Sequence, residues 1–214
     1  MSEANPTVLV VDDDASVRKG LGRLLKSAGL EAELFDSAQA FLQRKTADGP
    51  SCLVLDVQMP GLNGLALQEE MSARGMRIPI IFITGHGDIP TSVKAMKAGA
   101  IDFLPKPFED QALLDAITGA LDTDRGARRD RAEAQSIHHR LQALTPRERE
   151  VFDLVITGML NKQIAVNLGA AEKTIKVHRG RVMRKMEVQS VAELVHLAER
   201  AGVYPSGGEG VGSE

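Results

Sequence analysis

Four short, largely apolar runs recur in the first half of the chain, and polar side chains follow each of them. The runs are residues 8–11, 52–55, 80–83 and 102–105. The side chains that end them are, in chain order, those of Asp12 and Asp13, Asp56, Thr84 and Lys106. Helical spacing of apolar residues separates the runs, and this alternation is typical of a doubly wound α/β sheet with parallel strands. Ligands bind at the carboxyl ends of such strands, so we expect these side chains to form one site.

The same spacing predicts five helices in the first 120 or so residues. They begin near Asp14, Ser37, Leu65, Ile89 and Phe108, and the glycines at 29, 75 and 99 end the first, third and fourth. The short strands between them are rich in Val, Ile and Leu. Strands of this kind are expected where helices cover both faces of a sheet.

Charge is distributed unevenly along a chain whose formal net charge is −3. Residues 1–122 carry a net charge of −6, and residues 143–204 carry +3. An acidic front half and a basic back half suggest two separate tasks, with nucleic acid as a partner for the second. Uneven surface charge without a function is the alternative that charge alone leaves open.

Residues 123–143 differ from the segments on either side. They are charged and poor in apolar residues until a thin apolar stripe formed by Ile137, Leu141 and Leu144. We predict a partly helical linker whose stripe pairs weakly with a partner helix. Only helix signals follow, with capping boxes that begin at Thr145 and Ser190. The Gly- and Ser-rich end, residues 205–214, is predicted to be disordered.

The chain carries no signal for a membrane or for secretion. No segment approaches the roughly 20 uninterrupted apolar residues of a membrane span, and the N-terminus lacks a basic-then-apolar signal pattern. A single cysteine, Cys52, cannot form an internal disulfide. We therefore expect a cytoplasmic protein without a membrane partner.

The acidic strand ends suit a divalent cation. Asp12, Asp13 and Asp56 would place three carboxylates close together, and a cation resolves their mutual repulsion. Mg²⁺ prefers such oxygen ligands. Asp56 can then attack phosphorus as a nucleophile, while Lys106 and the Thr84 hydroxyl contact phosphoryl oxygens. These residues predict a switch operated by phosphate.

The four strand ends carry motifs that resemble those of the receiver domain of two-component response regulators. The motifs are VVDDD at 10–14, LDVQMPG at 55–61, ITGHG at 83–87 and FLPKPF at 103–108. The resemblance covers about residues 5–122. It implies a flavodoxin-like, doubly wound sheet of five parallel strands, and phosphorylation of Asp56 by a sensor histidine kinase.

The resemblance also implies roles for single residues. It implies a Mg²⁺ site formed by Asp12, Asp13, Asp56 and the main-chain carbonyl of Gln58. Phe103 matches an aromatic side chain that swings inward when Thr84 moves to meet the phosphate. The Lys106–Pro107 peptide matches one that is often cis in this family, which would direct the lysine inward.

Simpler roles remain open for several of these residues. Asp12 and Asp14 can cap the first helix. Lys106 can be a solvated surface lysine, and Phe103 can be a core residue in either state. His86 is a gate for water near the phosphate or a histidine of a surface loop.

A Mg²⁺-dependent phosphatase that passes through a phosphoaspartate is a competing interpretation. Such enzymes usually carry a second Asp two residues after the nucleophile. This chain has Gln58 there, which cannot donate a proton as a general acid. We therefore expect the phosphoryl group to persist. We predict that the protein is not an enzyme, although its receiver catalyses its own phosphorylation and slow dephosphorylation.

A helix–turn–helix pattern lies between residues 161 and 186. Asn161 can cap its first helix, Gly169 supplies a left-handed turn residue, and the second helix buries Ile175, Val182 and Met186. The residues that then face outward are Lys173, Lys176, Val177, Gly180 and Arg184. This face suits a DNA major groove, and the residues placed to contact phosphates are Lys162, Thr174 and Arg179. A solvated helix face is the alternative.

Residues 144–201 resemble the LuxR/FixJ-type DNA-binding domain. The matching motifs are LTPRERE at 144–150, GMLNKQIA at 158–165 and KTIKVH at 173–178. In that family the positions of Lys176, Val177 and Gly180 reach into the groove, and the last helix, about 190–200, dimerises. Ala171 replaces the usual Ser or Thr cap at a cost of about 1 kcal/mol. Gly180 cannot contact a base through a side chain.

Together these patterns predict a bacterial response regulator of the FixJ/NarL class. Its expected parts are a receiver (1–122), a helical linker (123–143), a LuxR-type helix–turn–helix domain (144–204) and the tail (205–214). Phosphorylation is expected to cause homodimerisation through the face near residues 89–118 and sequence-specific binding to promoter DNA, with RNA polymerase as a further partner. The alternatives are a phosphorylation-independent DNA-binding regulator with a vestigial receiver, and a phosphotransfer enzyme.

Overall fold

The structure is a computed structural model of the 214-residue chain, and it describes residues 5–44, 49–85 and 89–204. The chain divides into two compact units, residues 1–128 and 129–214. Across the described ranges, no helix is both long enough and apolar enough to cross a bilayer. The predicted tail at 205–214 and His86 lie outside the described residues, so the predictions for them remain predictions.

The first unit is a parallel sheet with helices on both faces. Its strands are β1 (Thr7–Val11), β2 (Glu31–Phe35), β3 (Ser51–Asp56), β4 (Ile80–Thr84) and β5 (Asp102–Pro105). Its helices are α1 (Ala15–Ser27), α2 (Ala38–Leu42), α3 (Gly64–Ala73), α4 (Ile89–Lys97) and the first part of α5 (Asp110–Gln142). The strand order is β2-β1-β3-β4-β5 with parallel pairing throughout. This confirms the predicted doubly wound sheet.

Successive strand residues enter two separate cores, one on each face of the sheet. On one face Leu53 of β3 packs in a cluster with Phe41 of α2. On the other face Val54 packs in a cluster with Leu25 of α1 and Ile117 of α5. Because helices cover both faces, the inner strands β1, β3 and β4 are buried along almost their whole length and appear in the sequence as apolar runs.

The strand register brings the polar ends of the runs to one edge of the sheet. Asp12 directly follows β1, and Asp56 is the last residue of β3. The two strands pair in parallel along their length. Thr84, the last residue of β4, pairs with the residue before Lys106. Asp56 pairs with Ile83, and Ile83 pairs with Leu104, so Thr84 lies one residue and Lys106 two residues beyond the level of Asp56. Parallel pairing therefore brings these four side chains to the same edge of the sheet, as predicted.

Helix α5 extends to Gln142 and so passes through nearly all of the segment that was predicted to be a partly helical linker. The charged run within it is not uniformly exposed. Asp124 is buried, and its Oδ2 accepts hydrogen bonds from the backbone N–H of Ser51 (2.8 Å) and from Nε of Arg128 (2.7 Å). Because the carboxylate satisfies a buried backbone donor at the start of β3, it is stable in this position.

The second unit contains the end of α5 and four further helices. These are α6 (Pro146–Val155), α7 (Asn161–Asn167), α8 (Glu172–Lys185) and α9 (Val191–Arg200). Their apolar faces form one core, which includes Phe152, Ile175 and Leu194. Ile137 and Leu141 of α5 are buried in the same core. The expectation that their stripe pairs with a partner helix was therefore wrong, because α6–α9 cover it within the unit.

Candidate functional site

Three carboxylates meet where β1 and β3 end. Asp12 is fully buried, Asp56 is nearly so, and Asp13 is exposed. Each offers an oxygen that lies within 4.8 Å of the other two. Hard oxygen donors at this spacing, open to water on the side of Asp13, fit Mg²⁺, which keeps several waters when it binds proteins. The three side chains predicted to bind the metal thus lie together.

Lys106 joins the two buried acids. Its Nζ lies 2.7 Å from Asp12 Oδ2 and 3.0 Å from Asp56 Oδ2. Its backbone N–H donates to the carbonyl of Thr84 (2.7 Å), and the Lys106–Pro107 peptide is cis. The two ion pairs contradict the alternative in which Lys106 is a solvated surface lysine.

Burial and ion pairing act in opposite directions on the ionisation of this cluster. Burial raises the pKa of the Asp12 carboxyl, although the hydrogen bond from Lys106 opposes the shift. Burial by itself lowers the pKa of Lys106, but the hydrogen bonds to Asp12 and Asp56 outweigh it and the pKa is raised. Lys106 therefore stays charged at neutral pH and keeps a positive charge beside Asp56.

Thr84 and Phe103 lie on the two strands that follow β3 in the sheet. Thr84 is fully buried at the end of β4, next to the strand that ends at Asp56. The Phe103 ring is half-buried, and its centroid lies 6.3 Å from that of Phe82 with the ring planes tilted by 42°. Phe103 packs against the core in this state. The coupled movement of the two side chains remains a prediction.

Backbone N–H groups two residues after each buried acid orient its carboxylate, and that of Asp14 donates to Asp12 Oδ1 (2.8 Å). The backbone N–H of Gln58 donates to Asp56 Oδ1 (3.2 Å) and fixes one carboxylate oxygen. Asp14 takes the capping role: its Oδ1 accepts from the hydroxyl and the backbone N–H of Ser16, at 2.5 and 2.7 Å. The hydroxyl bond, and then the backbone bond, lower the pKa of Asp14. The main-chain carbonyl of Gln58 remains a predicted metal ligand.

Gly64 belongs to the site but was missed by the sequence analysis. It begins α3 directly after the cap residue Asn63. A Cβ at this position would lie 2.3 Å from the carbonyl oxygen of Asp56, closer than such atoms can approach. Glycine therefore lets α3 start against the backbone of Asp56. A glycine at the first helical position, where it gives the helix no advantage, is the signal that points to such a contact.

The helix–turn–helix forms as predicted from α7, the turn and α8. Gly169 in the turn has a φ of +59°, a conformation that glycine adopts readily. Ala165 and Ile175 are both buried and join the core of the unit. This packing places the opposite face of α8 toward solvent.

The role expected for Asn161 was wrong. The N-cap of α7 is Leu160, and Asn161 is the first residue of the helix. Its Oδ1 accepts a hydrogen bond from Nη1 of Arg179 (2.9 Å). Asn161 thus ties α7 to α8, because a cation on the second helix is within reach of its amide.

The side chains predicted to contact DNA are mostly exposed. The exposed ones are Lys162 on α7 and Lys173, Thr174, Lys176, Val177, Gly180 and Arg184 on α8. Arg179 is half-buried because of its bond to Asn161. Of the predicted DNA contacts, the Arg179 side chain is therefore the least accessible to a phosphate.

Hydrogen bonding divides the ten Lys and Arg residues of the segment 143–204 into two groups. Five are bonded within the unit to acids, an amide or carbonyls, namely Arg147, Arg149, Arg179, Lys185 and Arg200. Within the described part of the chain, five have no such partner, namely Lys162, Lys173, Lys176, Arg181 and Arg184. Four of these unpartnered cations lie on α8. Cations that are free of internal partners can bind phosphate without first breaking a bond.

Arg181 was not among the residues predicted to contact DNA. It is exposed and follows Val177 by four residues, which places it on the same side of the helix. Helical spacing therefore predicts that Arg181 lies on the outward side of α8. The outward face predicted from the sequence was centred on other positions of α8 and did not include Arg181.

Two protein-family models match this chain, one in each half. Residues 8–118 match the response regulator receiver domain. Residues 142–198 match the bacterial regulatory proteins of the luxR family. The two matches occur in the order that the fold shows, with the residues of the acidic pocket inside the first and α7 and α8 inside the second.

Individual proteins are similar over nearly the whole chain. Nodulation protein W of Bradyrhizobium diazoefficiens is 50% identical over 92% of this chain and 86% of that protein. Transcriptional regulatory protein FixJ of the same organism is 47% identical over 92% of this chain and 96% of that protein. The structure of response regulator StyR is 54% identical with a TM-score of 0.84, and the match covers 92% of this chain and 100% of that one.

Proposed function

The chain belongs to the response regulators that join a receiver domain to a LuxR-family DNA-binding domain, and we propose that Asp56 accepts a phosphoryl group from a sensor histidine kinase. The observation that carries the proposal is the position of the Asp56 carboxylate in an acidic pocket, with Lys106 Nζ 3.0 Å away. The family is one of transcription regulators. The chemistry of the receiver is limited to its own phosphorylation and slow dephosphorylation.

Transfer to Asp56 forms an acyl phosphate. An Asp56 oxygen attacks phosphorus, and the new P–O bond forms as the P–N bond of the kinase phosphohistidine breaks and its imidazole leaves with the electron pair. The groups that would hold Mg²⁺ are Asp12, Asp13, Asp56 and the Gln58 carbonyl. When bound, the ion supplies positive charge to the reacting oxygens. Lys106 already contacts Asp56, so its ammonium group can form an ion pair with a phosphoryl oxygen with little movement.

The phosphoryl group acts on the rest of the receiver through Thr84. Its hydroxyl turns to donate to a phosphoryl oxygen, and Phe103 enters the space that it leaves. The change repacks the face built from α4, β5 and the start of α5, near residues 89–118. Apolar side chains already exposed there support the proposal, namely Ile89, Val93, Met96 and Ile101. Exposed apolar groups of this kind favour association, so the phosphorylated protein forms a homodimer through this face.

Dimerisation pairs two α8 helices on promoter DNA that carries two related half-sites. The unpartnered cations of α8 support this assignment, since they are available to phosphates and base edges. In this proposal residues 1–122 receive the signal, 123–143 connect, and 144–204 bind DNA. Control of transcription requires RNA polymerase as a further partner, and these partners place the protein in the cytoplasm.

Mass spectrometry of the full-length protein tests the acceptor. After treatment with acetyl phosphate and Mg²⁺, the peptide that contains Asp56 should gain one phosphoryl group, and Asp56→Asn should abolish the gain. Asp14→Asn is the matched control, because Asp14 caps α1 and Asn caps a helix as well as Asp does. A gain on another residue would contradict the proposal.

Gel filtration and DNA binding test the consequence. Beryllofluoride with Mg²⁺ should dimerise the wild-type protein and Asp14→Asn and raise their affinity for promoter fragments, while Asp56→Asn should remain a weakly binding monomer. Equal dimerisation and DNA affinity of Asp56→Asn and the wild type would instead establish a regulator that does not depend on phosphorylation.

A further inference from the structure

Gly180 lies inside α8, yet the fold gives no reason for a glycine there. Its backbone is not among the left-handed residues, and a Cβ built on it meets no heavy atom within 4 Å. Glycine is among the least favourable residues of a helix interior, because the unfolded chain gains freedom from it. Neither conformation nor packing within the chain therefore requires the missing side chain.

The position of Gly180 on α8 supplies a reason. Ile175, Val182 and Met186 are fully buried and define the inner face of the helix. At 100° per residue around the helix axis, the Cα of Gly180 lies within about 40° of the direction opposite to this inner face. Lys173 and Arg184, both unpartnered, share this outer face. The glycine thus exposes bare backbone in the middle of a cationic surface.

Arg181 is the neighbour of this bare segment. It is exposed, has no hydrogen bond or ion pair within the described ranges, and points about 60° from the same outward direction. The acids closest to it along the chain are Glu172 at the start of α8 and Glu187 beyond its end, and Glu187 is bonded to Arg140. Nothing along α8 near Arg181 neutralises its charge.

We propose, building on the DNA-binding function above, that Gly180 and Arg181 form one contact that positions α8 in the major groove. Base edges approach the helix at Gly180 more closely than a side chain would permit. Arg181, on the flank of the same face, binds a phosphate on the wall of the groove. The glycine then sets the depth of insertion and the arginine fixes the helix at that depth.

This contact predicts opposite effects on folding and on DNA binding. Gly180→Ala and Gly180→Leu should both raise the thermal midpoint of the second unit, by roughly 4 °C, because Ala and Leu favour helix. Both should weaken DNA binding, by about 5-fold for Ala and more for the bulkier Leu. A glycine with only a structural role would not give increased stability together with graded loss of affinity.

Arg181 has a separate readout. Arg181→Ala should weaken binding about 5-fold on all duplexes and reduce the slope of log affinity against log salt by about one. Arg181→Lys keeps the charge and should restore the slope. Gly126→Ala is the control for a helical glycine, since Gly126 is exposed on α5 with open space around it and lies outside α8.

The experiment uses the full chain activated with beryllofluoride and Mg²⁺, and a duplex that the activated wild-type protein selects from a random-sequence pool. Gly126→Ala should bind this duplex as the wild type does. Wild-type affinity in Gly180→Leu, or an unchanged salt slope in Arg181→Ala, would overturn the inference and leave the proposed function intact. Failure of the wild type to enrich any duplex would instead overturn the proposed function.

Discussion

Gly64 influences the acidic pocket through the side chain that it lacks. Gly64→Ala would place a Cβ 2.3 Å from the carbonyl oxygen of Asp56, so either the start of α3 or the end of β3 must move. We expect the substitution to lower the free energy of unfolding by roughly 2 kcal/mol. It should also weaken Mg²⁺ binding, because the carboxylate moves with its own backbone. Urea unfolding and a Mg²⁺ titration measure the two effects.

Gly20 provides the matched control for that prediction. It lies within α1, and a Cβ built there meets nothing within 4 Å. Gly20→Ala should therefore leave stability unchanged or raise it by up to about 1 kcal/mol. If the two substitutions had the same effect on the urea midpoint, close contact with Asp56 would not be the reason for Gly64.

Glu148 makes the folding stability of the second unit depend on pH. Its buried carboxylate accepts hydrogen bonds from Lys185 Nζ (2.6 Å) and from the backbone N–H of Thr145 (3.0 Å). The bond from Lys185, followed by that from Thr145, lowers the pKa of Glu148 to about 2. A carboxyl group whose pKa is lower in the folded than in the unfolded chain stabilises the fold above its unfolded pKa. That stability is lost as pH falls toward the folded pKa.

The ordinary pKa of a glutamate is 4.5. As the pH falls from 4.5 to about 2, we therefore expect the free energy of unfolding of the second unit to decrease by on the order of 2 kcal/mol. Glu148→Gln should be less stable than the wild type at pH 7 and should lack this part of the pH dependence. Thermal unfolding at closely spaced pH values measures it. Glu150→Gln, at an exposed position, is the control and should keep the wild-type profile.

Helices α8 and α9 differ in how they begin. The Ser190 hydroxyl accepts a hydrogen bond from the backbone N–H of Glu193 (3.1 Å) and caps α9. The N-cap of α8 is Ala171, which has extended backbone and makes no side-chain capping bond. Ala171→Ser should raise the free energy of unfolding by about 1 kcal/mol, and Ser190→Ala should lower it by about the same amount. Equilibrium urea unfolding that moves in the same direction for both variants would contradict this account.

Elements were predictable from the sequence where a core imposes its period over many residues. Apolar spacing was enough for the parallel sheet and for the helix–turn–helix, and the polar strand ends were enough for the acidic pocket. Contacts between residues distant in sequence were not predictable in this way. Asp124 is charged and lies in a polar run, yet it is buried because it accepts a bond from Ser51, 73 positions earlier. Gly64 likewise requires knowledge of how α3 approaches β3.

Association of one chain with another depends on which apolar groups stay exposed. Ile89, Val93 and Met96 lie at helical spacing on α4 and remain exposed, and the strand that follows begins just after the exposed Ile101. Apolar groups clustered on one helix are typical of an interface that is covered in another state. The proposed dimer covers them, and the energy of DNA binding then depends on this face although it makes no contact with DNA.

Val93→Glu tests that dependence. A charge in the interface should weaken dimerisation of the beryllofluoride-activated protein at least about 10-fold, while phosphorylation of Asp56 stays unchanged because the acidic pocket is untouched. DNA affinity should fall as well, since a tethered second copy binds at an effective concentration in the millimolar range. Leu34→Glu is the control: Leu34 lies on β2 and is 43% exposed, against 45% for Val93. If sedimentation gave the two variants equal dimer affinity, the α4 face would not be the interface, and phosphate would have to control DNA binding by another route.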